Sequence, residues 1–265
     1  MRIIDGKKLA DEIKREVAAG LVAKKREVRF DAVIVGNNAA SEIYVRNKFR
    51  ACEEVGIKFR LHRLDENTAQ ADLNTLLDKL SNDGYVDAIL LQLPLPEHLS
   101  SRDAILHIAK TKDVDGLVAG SPFLPCTAQG VLYAIKSVAP EIGGMTAVVL
   151  GRSELVGMPI ARLLIKENAT VIVCHSMTKD IKKWTKQADI IVSAVGKAKL
   201  LTADMVRKGA IVIDVGINRL SGGEICGDVD FQKVLPVASA ITPVPKGIGP
   251  LTIAFLCRNI YNSVL

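Results

Sequence analysis

The sequence predicts an α/β protein of two domains, each with a mostly parallel sheet, and three observations carry that prediction. Aliphatic runs suited to buried parallel strands alternate with helix-length segments along the chain. Hydrophobic residues make up 49% of the sequence but aromatic ones only 4%, so Ala, Val, Ile and Leu must build the core. The alternation breaks at "PEIGG" (140–144) and then restarts, which divides the 265 residues into two domains of ordinary size.

The elements follow in order. Residues 6–26 read as an amphipathic helix, and "RFDAVIVG" (29–36) as an aliphatic strand ending in Gly36. "SEIYVRNKFRACEEVG" (41–56) is a helix closed by Gly56 as its C-terminal cap. "IKFRLHRL" is a strand, residues 68–83 a helix capped by Thr68, and "VDAILLQLPLP" a buried strand stopped by Pro94 and Pro96. Residues 99–109 form a further helix. Residues 110–130 have no period and read as loop, with a helix from about Thr127 to Val138. In the second half "MTAVVLG", "ATVIVCH", "DIIVSAVG", "AIVIDVGI" and "SAITPVP" are strands. Helices lie at 156–168, 178–188, 202–209 and, after the loop "KGIGP", 251–263.

The bulk numbers exclude several classes. The formal charge of +6 is scattered along the chain, without an arginine-rich tail or aromatic stripe, so nucleic acid is not expected as a partner. No run approaches the ~18 apolar residues that span a bilayer, so no membrane association is expected. The five cysteines form no CxxC and the four histidines do not cluster, so no metal site is expected. The odd cysteine count and the charged amphipathic N-terminus point to reduced thiols in a cytoplasm.

Three places carry chemistry. Tyr44 and Lys48, four residues apart, stack on one helix face. A solvated helix and a helix that offers a phenol and an amine to a ligand both fit. Gln92, between Leu91 and Leu93 in a buried strand, needs hydrogen-bond partners. "VVLGRSELVGMP" (148–159) follows a strand and opens a helix, where a dinucleotide fold puts its phosphate turn. Only Gly151 and Gly157 are glycine there, so a plain structural turn fits about as well. The next strand end holds His175 and Ser176 and no acid. With Arg152 in the first turn, that favours a 2′-phosphate, hence NADP over NAD. Gly196 and Gly216 end the following strands and allow close backbone approach to the nicotinamide half.

Taken together, "YVRNKFRACEEVGI", "LLQLPLPEHL", "KDVDG", "PCTAQG", "VVLGRSELVGMP", "ATVIVCHSMT", "ADIIVSAVG", "GAIVIDVGIN", "GDVDF" and "ITPVPKGIGPLT" resemble the methylenetetrahydrofolate dehydrogenase/methenyltetrahydrofolate cyclohydrolase family. The resemblance implies oxidation of 5,10-methylenetetrahydrofolate by NADP+ and hydrolysis of the methenyl product to 10-formyltetrahydrofolate. It implies an N-terminal α/β catalytic domain, a Rossmann-type NADP-binding domain, and a C-terminal helix that returns to the first. The expected division is 1–138 with 245–265 for folate and 139–244 for NADP, in a cytoplasmic homodimer with tetrahydrofolate derivatives as substrates.

The resemblance also assigns roles. Lys48 is the catalytic lysine; an amine serves near neutral pH when desolvation or a dipole lowers its pKa from the usual ~10.4. Tyr44 lies against the folate, Gln92 bonds Lys48 and substrate, and Asp115 holds the pterin nitrogens. Leu91 and Leu93 flank the folate, and Pro245, Gly247, Gly249, Pro250 and Thr252 line its other side. The cofactor set is Gly151, Arg152, Ser153, Val156, Gly157, Pro159, His175, Ser176, Gly196, Gly216 and Ile217.

Three departures from the family pattern stand out. Phe49-Arg50 follows Lys48 where "LK" is usual. The loop after Gly116 lacks His-Pro and is shorter, which raises the alternative of a dehydrogenase with weak or lost cyclohydrolase activity. Lys246 replaces a glycine of "PVPGGVGP", where it supplies a positive φ less readily. A non-catalytic NADP sensor and a dehydrogenase resembling shikimate dehydrogenase are weaker alternatives.

Overall fold

The computed structural model describes residues 2–24 and 26–265, with the side chains of 39–41 outside the description. Two compact units emerge. The first unit comprises Asp11–Cys126 with Ile253–Leu265, and the second Met1–Ala10 with Thr127–Thr252. The division expected from sequence, 1–138 with 245–265 and 139–244, took its boundary from the break at "PEIGG" and from the family's layout.

The chain enters with β1 (Arg2–Ile3) and α1 (Gly6–Lys24). In the first unit follow β2 (Arg29–Val35), α2 (Ala39–Val55), β3 (Lys58–Leu64), α3 (Gln70–Asn82), β4 (Ala88–Leu91) and α4 (Ser101–Leu106). The sheet runs β3-β2-β4 and is parallel throughout. Val33, Val35, Leu73, Leu77, Ile89 and Leu91 form its core with α3. Gly56 closes α2 as expected: at φ +85° its N–H bonds Glu53 O, and the Ile57 N–H bonds Cys52 O. The cap of α3 is Ala69 rather than Thr68, with no side-chain bond. Ser100 caps α4, accepting from the Asp103 N–H.

One polar group interrupts the aliphatic strand. Asp31 is fully buried in β2. Arg29 donates to both its oxygens, at 2.7 and 3.0 Å, and His62 Nε2 on β3 lies 2.5 Å from Oδ1. Buried charge persists only with such partners.

α5 (Cys126–Lys136) leads into the second unit. There follow β5 (Thr146–Leu150), α6 (Gly157–Lys166), β6 (Thr170–Cys174), α7 (Ile181–Thr185), β7 (Ile190–Ser193) and β8 (Ile211–Asp214). A hairpin of β9 (Asn218–Arg219) and β10 (Ile225–Cys226) precedes α8 (Phe231–Val234) and β11 (Ala240–Ile241). The six strands run β1-β11-β8-β7-β5-β6, all parallel. Its core includes Val148, Leu150, Ile191, Val212 and Ile241. The helix expected at 202–209 is only a 3₁₀ turn, Ala203–Met205.

α9 (Ile248–Asn262) starts three residues before the expected 251, because Pro250 fits a first helical turn, where its missing N–H has no partner to lose. From Ile253 onward it belongs to the first unit. There Asn259 Nδ2 donates to Val114 O at 2.8 Å and Leu124 O at 3.1 Å, and Lys24 Nζ donates to Val264 O. The chain is thus a two-domain α/β protein whose terminal helix returns to the first unit.

Candidate active site

The first cluster sits where β4 ends against α2. Backbone pairing carries one residue past β4, since the Gln92 N–H bonds Val33 O at 2.8 Å. That step holds the Gln92 side chain in place. Its Nε2 donates to Leu93 O at 2.7 Å, and its Oε1 accepts from Lys48 Nζ at 3.0 Å. At 7% exposure the amide has both polar ends engaged. On α2, Val45, Ala51, Cys52 and Val55 face the core, which turns Tyr44 outward at 40% exposure and leaves Lys48 half-buried. Arg46, Asn47 and Arg50 are exposed. Leu91 is buried and Leu93 half-buried beside Gln92.

Asp115 enters on the loop after the 3₁₀ turn Lys110–Lys112. Gly116 has φ +70°, and a Cβ there would lie 2.7 Å from the Leu124 backbone, so only glycine fits. The shorter loop is thereby folded tightly on itself. Asp113, fully buried, accepts from the Val118 N–H at 2.7 Å, and burial raises its pKa. Asp115 itself is half-buried next to Cys126. Burial, and then the Asp115 charge, push the Cys126 thiol well up; contact with Cys257 and burial do the same for Cys52. Lys48, Cys52, Asp115, Cys126 and Cys257 therefore share one electrostatic neighbourhood.

In the second unit the glycines have separable reasons. A Cβ on Gly151, at φ +109°, would lie 2.3 Å from Ala194 O, and one on Gly157 would lie 2.2 Å from Gly151 O. Both are needed for the chain to pack on itself. Gly196, at φ +64°, has open space where a Cβ would stand. Gly216 is pressed against Asp228, whose Oδ1 would be 2.1 Å from a Cβ. Ser153 accepts from the Gly157 N–H at 3.3 Å, Val156 precedes α6, and Pro159 is buried in its first turn. The Gly151 N–H bonds Cys174 O, which sets the Arg152 turn beside the His175–Ser176 strand end. Arg152 and Ser176 are exposed and His175 half-buried. Ser176 is not a helix cap: Asp180 caps α7, accepting from the Lys183 N–H. Ile217 is exposed.

Of the loop expected to line folate, Pro245 and Gly249 are exposed, Pro250 and Thr252 half-buried, and Gly247 is buried with Pro243 O 2.3 Å from a hypothetical Cβ. Thr252 Oγ1 donates to Ile248 O. Lys246 is exposed and holds φ +80°, the conformation a glycine would take without strain. Pro245 to Thr252 group with the second unit and Tyr44, Lys48, Gln92 and Asp115 with the first.

Asp214 and Asp228, both buried, were not singled out from sequence. Asp228 stands in "GDVDF" and Asp214 in "AIVIDVGI", an acid closing an aliphatic run. Among the described residues no cluster of His, Cys, Asp or Glu suits a metal ion, and no helix is long and apolar enough to cross a membrane.

Comparison with known proteins places both halves of the chain in one family. Residues 4–115 match the tetrahydrofolate dehydrogenase/cyclohydrolase catalytic domain, and residues 125–265 the NAD(P)-binding domain of the same family. A bifunctional protein FolD from Moorella thermoacetica is 46% identical over 274 residues, covering 99% of this chain and 98% of the relative. The crystal structure of the bifunctional FolD of Campylobacter jejuni aligns at TM-score 0.96 and 44% identity, over 99% of this chain and 98% of that one. The Trypanosoma brucei dehydrogenase-cyclohydrolase, solved with NADP cofactor and an inhibitor, aligns at TM-score 0.93 and 33% identity, over 98% and 96%. With both halves matched and the fold shared end to end, the chain belongs to the tetrahydrofolate dehydrogenase/cyclohydrolase family.

Proposed function

We infer that this protein is a bifunctional NADP-dependent enzyme of one-carbon metabolism. It oxidises 5,10-methylenetetrahydrofolate to the methenyl form and hydrolyses that product to 10-formyltetrahydrofolate. The observation that carries the hydrolytic half is the 3.0 Å bond from Lys48 Nζ to Gln92 Oε1 at the end of a buried strand. It favours the bifunctional reading over a dehydrogenase alone, since the shorter loop after Gly116 leaves that pair formed.

The residues present suit NADP. Gly196 leaves open space beside a strand end, and the positive end of the α6 dipole favours phosphate there, although the Gly157, Met158 and Ile160 N–H groups are bonded to Ser153 and Val156. Arg152 is exposed in the turn, and the strand end at His175 and Ser176 has no carboxylate to repel a 2′-phosphate. The cofactor, when bound, accepts the hydride. We assign Gly151, Ser153, Val156, Gly157 and Pro159 to the phosphate turn, and Gly196, Gly216 and Ile217 to the nicotinamide half.

In the hydrolytic half, Lys48 moves a proton at Nζ as water adds and the ring opens. Gln92 orients that amine, Tyr44 lies along the folate, and the Asp115 carboxylate accepts from the pterin. Leu91, Leu93, Pro245, Gly247, Gly249, Pro250 and Thr252 shape the walls. In this functional division 1–138 with 245–265 carry folate and 139–244 carry NADP. A cytoplasmic homodimer joined through the NADP-binding part belongs to the same proposal; a one-chain mass by light scattering would remove the dimer.

The test is a pair of assays. Methylenetetrahydrofolate is supplied with NADP+ or NAD+, with NADP+ expected to be the better acceptor. Methenyltetrahydrofolate is then followed by its near-UV absorbance. Decay at the spontaneous rate in the presence of enzyme would reduce the protein to a dehydrogenase.

A further inference from the structure

The ends of β7 and β8 pair in register, Ser193 with Asp214. Each strand then runs into a glycine turn, Val195–Gly196–Lys197 after β7 and Val215–Gly216 after β8. Between them lies the carboxylate of Asp228, fully buried. Its Oδ2 accepts from the N–H groups of Val195 at 2.7 Å and Gly196 at 3.2 Å, and from Ser193 Oγ at 3.3 Å. Its Oδ1 accepts from the Lys197 N–H at 2.9 Å and from Asn218 Nδ2 at 3.0 Å. Three consecutive backbone N–H groups thus converge on one side chain, the arrangement a chain adopts around a bound anion.

Asp228 is held in turn from behind. Asp214 Oδ1 accepts from the Asp228 N–H at 3.0 Å and the Gly216 N–H at 2.9 Å, and Oδ2 accepts from the Val229 N–H at 2.9 Å. Gly227 brings the chain close enough that a Cβ there would lie 1.8 Å from Asp214 Oδ2. Gly216 is glycine because Asp228 Oδ1 occupies the place of its Cβ. Every group bonded to the Asp228 carboxylate donates, so an acceptor-only side chain satisfies them all. An asparagine would turn an NH₂ against one of the amides.

We propose that Asp228 is a positioning residue for the dehydrogenase reaction: its carboxylate sets the shape of the 195–197 turn and the seat of Gly216, and through them the wall that meets the nicotinamide half of NADP. This rests on the cofactor reading above. The hydrolytic reaction, centred on Lys48, does not call on this wall. A residue needed only for folding would lower both reactions together. Asp228 lowers one.

The experiment uses the full chain carrying Asp228→Asn, with three readouts: NADPH binding by fluorescence titration, KM and kcat for NADP+ in the dehydrogenase assay, and the cyclohydrolase rate. The expected result is a KM for NADP+ raised at least tenfold, NADPH binding weakened in step, and a cyclohydrolase rate within twofold of the parent. An unchanged KM, or equal loss of both activities, would overturn the proposal. Should Asp228→Asn not fold, Asn218→Ala removes one donor from Oδ1 and is expected to raise KM about threefold with hydrolysis unchanged; no change in KM overturns it equally. Absence of NADPH binding to the parent protein would instead overturn the cofactor reading itself.

Discussion

The two ends of parallel strands in this chain use polar residues in opposite ways. At the end of β4, the Gln92 amide and the Lys48 amine bond each other side chain to side chain, and Tyr44 on the same helix as Lys48 is 40% exposed. At the ends of β7 and β8, the acids Asp214 and Asp228 turn inward and bond backbone amides. The first arrangement suits proton transfer, which needs a side chain that can exchange a proton at the reacting atom. The second suits recognition of a large cofactor by backbone, where shape must be held rather than protons moved. Buried carboxylates serve that purpose because leaving a ring of amide N–H groups unbonded costs more than burying one well-surrounded charge.

The comparison can be broken most decisively at Lys48. Lys48→Met removes the amine and keeps the apolar stem, so cyclohydrolase should fall by about 10²–10⁴-fold. NADPH binding should stay near the parent value, and hydrolysis at the parent rate would strip Lys48 of its role.

A second test addresses the inward-facing acids. Burial pushes the Asp214 carboxyl up to about 6 from 3.8, against the opposing pull of the Val229, Asp228 and Gly216 N–H groups. The folded state therefore binds this proton more tightly than the unfolded one. Its contribution is full below pH 3.8 and is lost as pH rises through about 6. The loss is on the order of 2–3 kcal/mol. Asp113, raised by burial as well, acts with the same sign. Urea unfolding of Asp214→Asn at several values between pH 4 and 7 should show a flatter profile than the parent, and an identical slope would contradict this account.

Arg152→Ala sharpens the cofactor side. Loss of one charge-assisted contact of about 1–2 kcal/mol should weaken NADP roughly tenfold and NAD little. Equal weakening of both dinucleotides, measured by titration, would discredit the 2′-phosphate assignment. The smallest effect is expected at Lys246, held at φ +80°. Lys246→Gly relieves backbone strain of roughly 1 kcal/mol and should raise the melting temperature by about 2–4 °C. A lower Tm would mean that the lysine makes a compensating contact.

Much of this molecule was readable from residue order alone. Aliphatic runs marked β2, β4, β5, β7 and β8, because parallel strands covered on both faces must be apolar. The Gly56 cap and the Tyr44–Lys48 face followed from local backbone rules, and the ordered motifs from "YVRNK" to "ITPVPKGIGPLT" identified the family. Thr68 failed as a cap and 202–209 failed as a helix, since short-range preference at element ends is weak against packing.

Other features exist only once distant segments meet. Asp31 reads as a flaw in an aliphatic strand until His62 arrives from the neighbouring strand. Gly216 reads as a glycine at a strand end, and only the fold shows that Asp228 occupies the place of its Cβ. The sequence alone determined most of the longer strands and helices and the candidate site side chains, because periodicity and motif are local. Which buried acid bonds which amide was decided by tertiary structure, because those partners lie up to 35 residues apart and converge only in the folded chain.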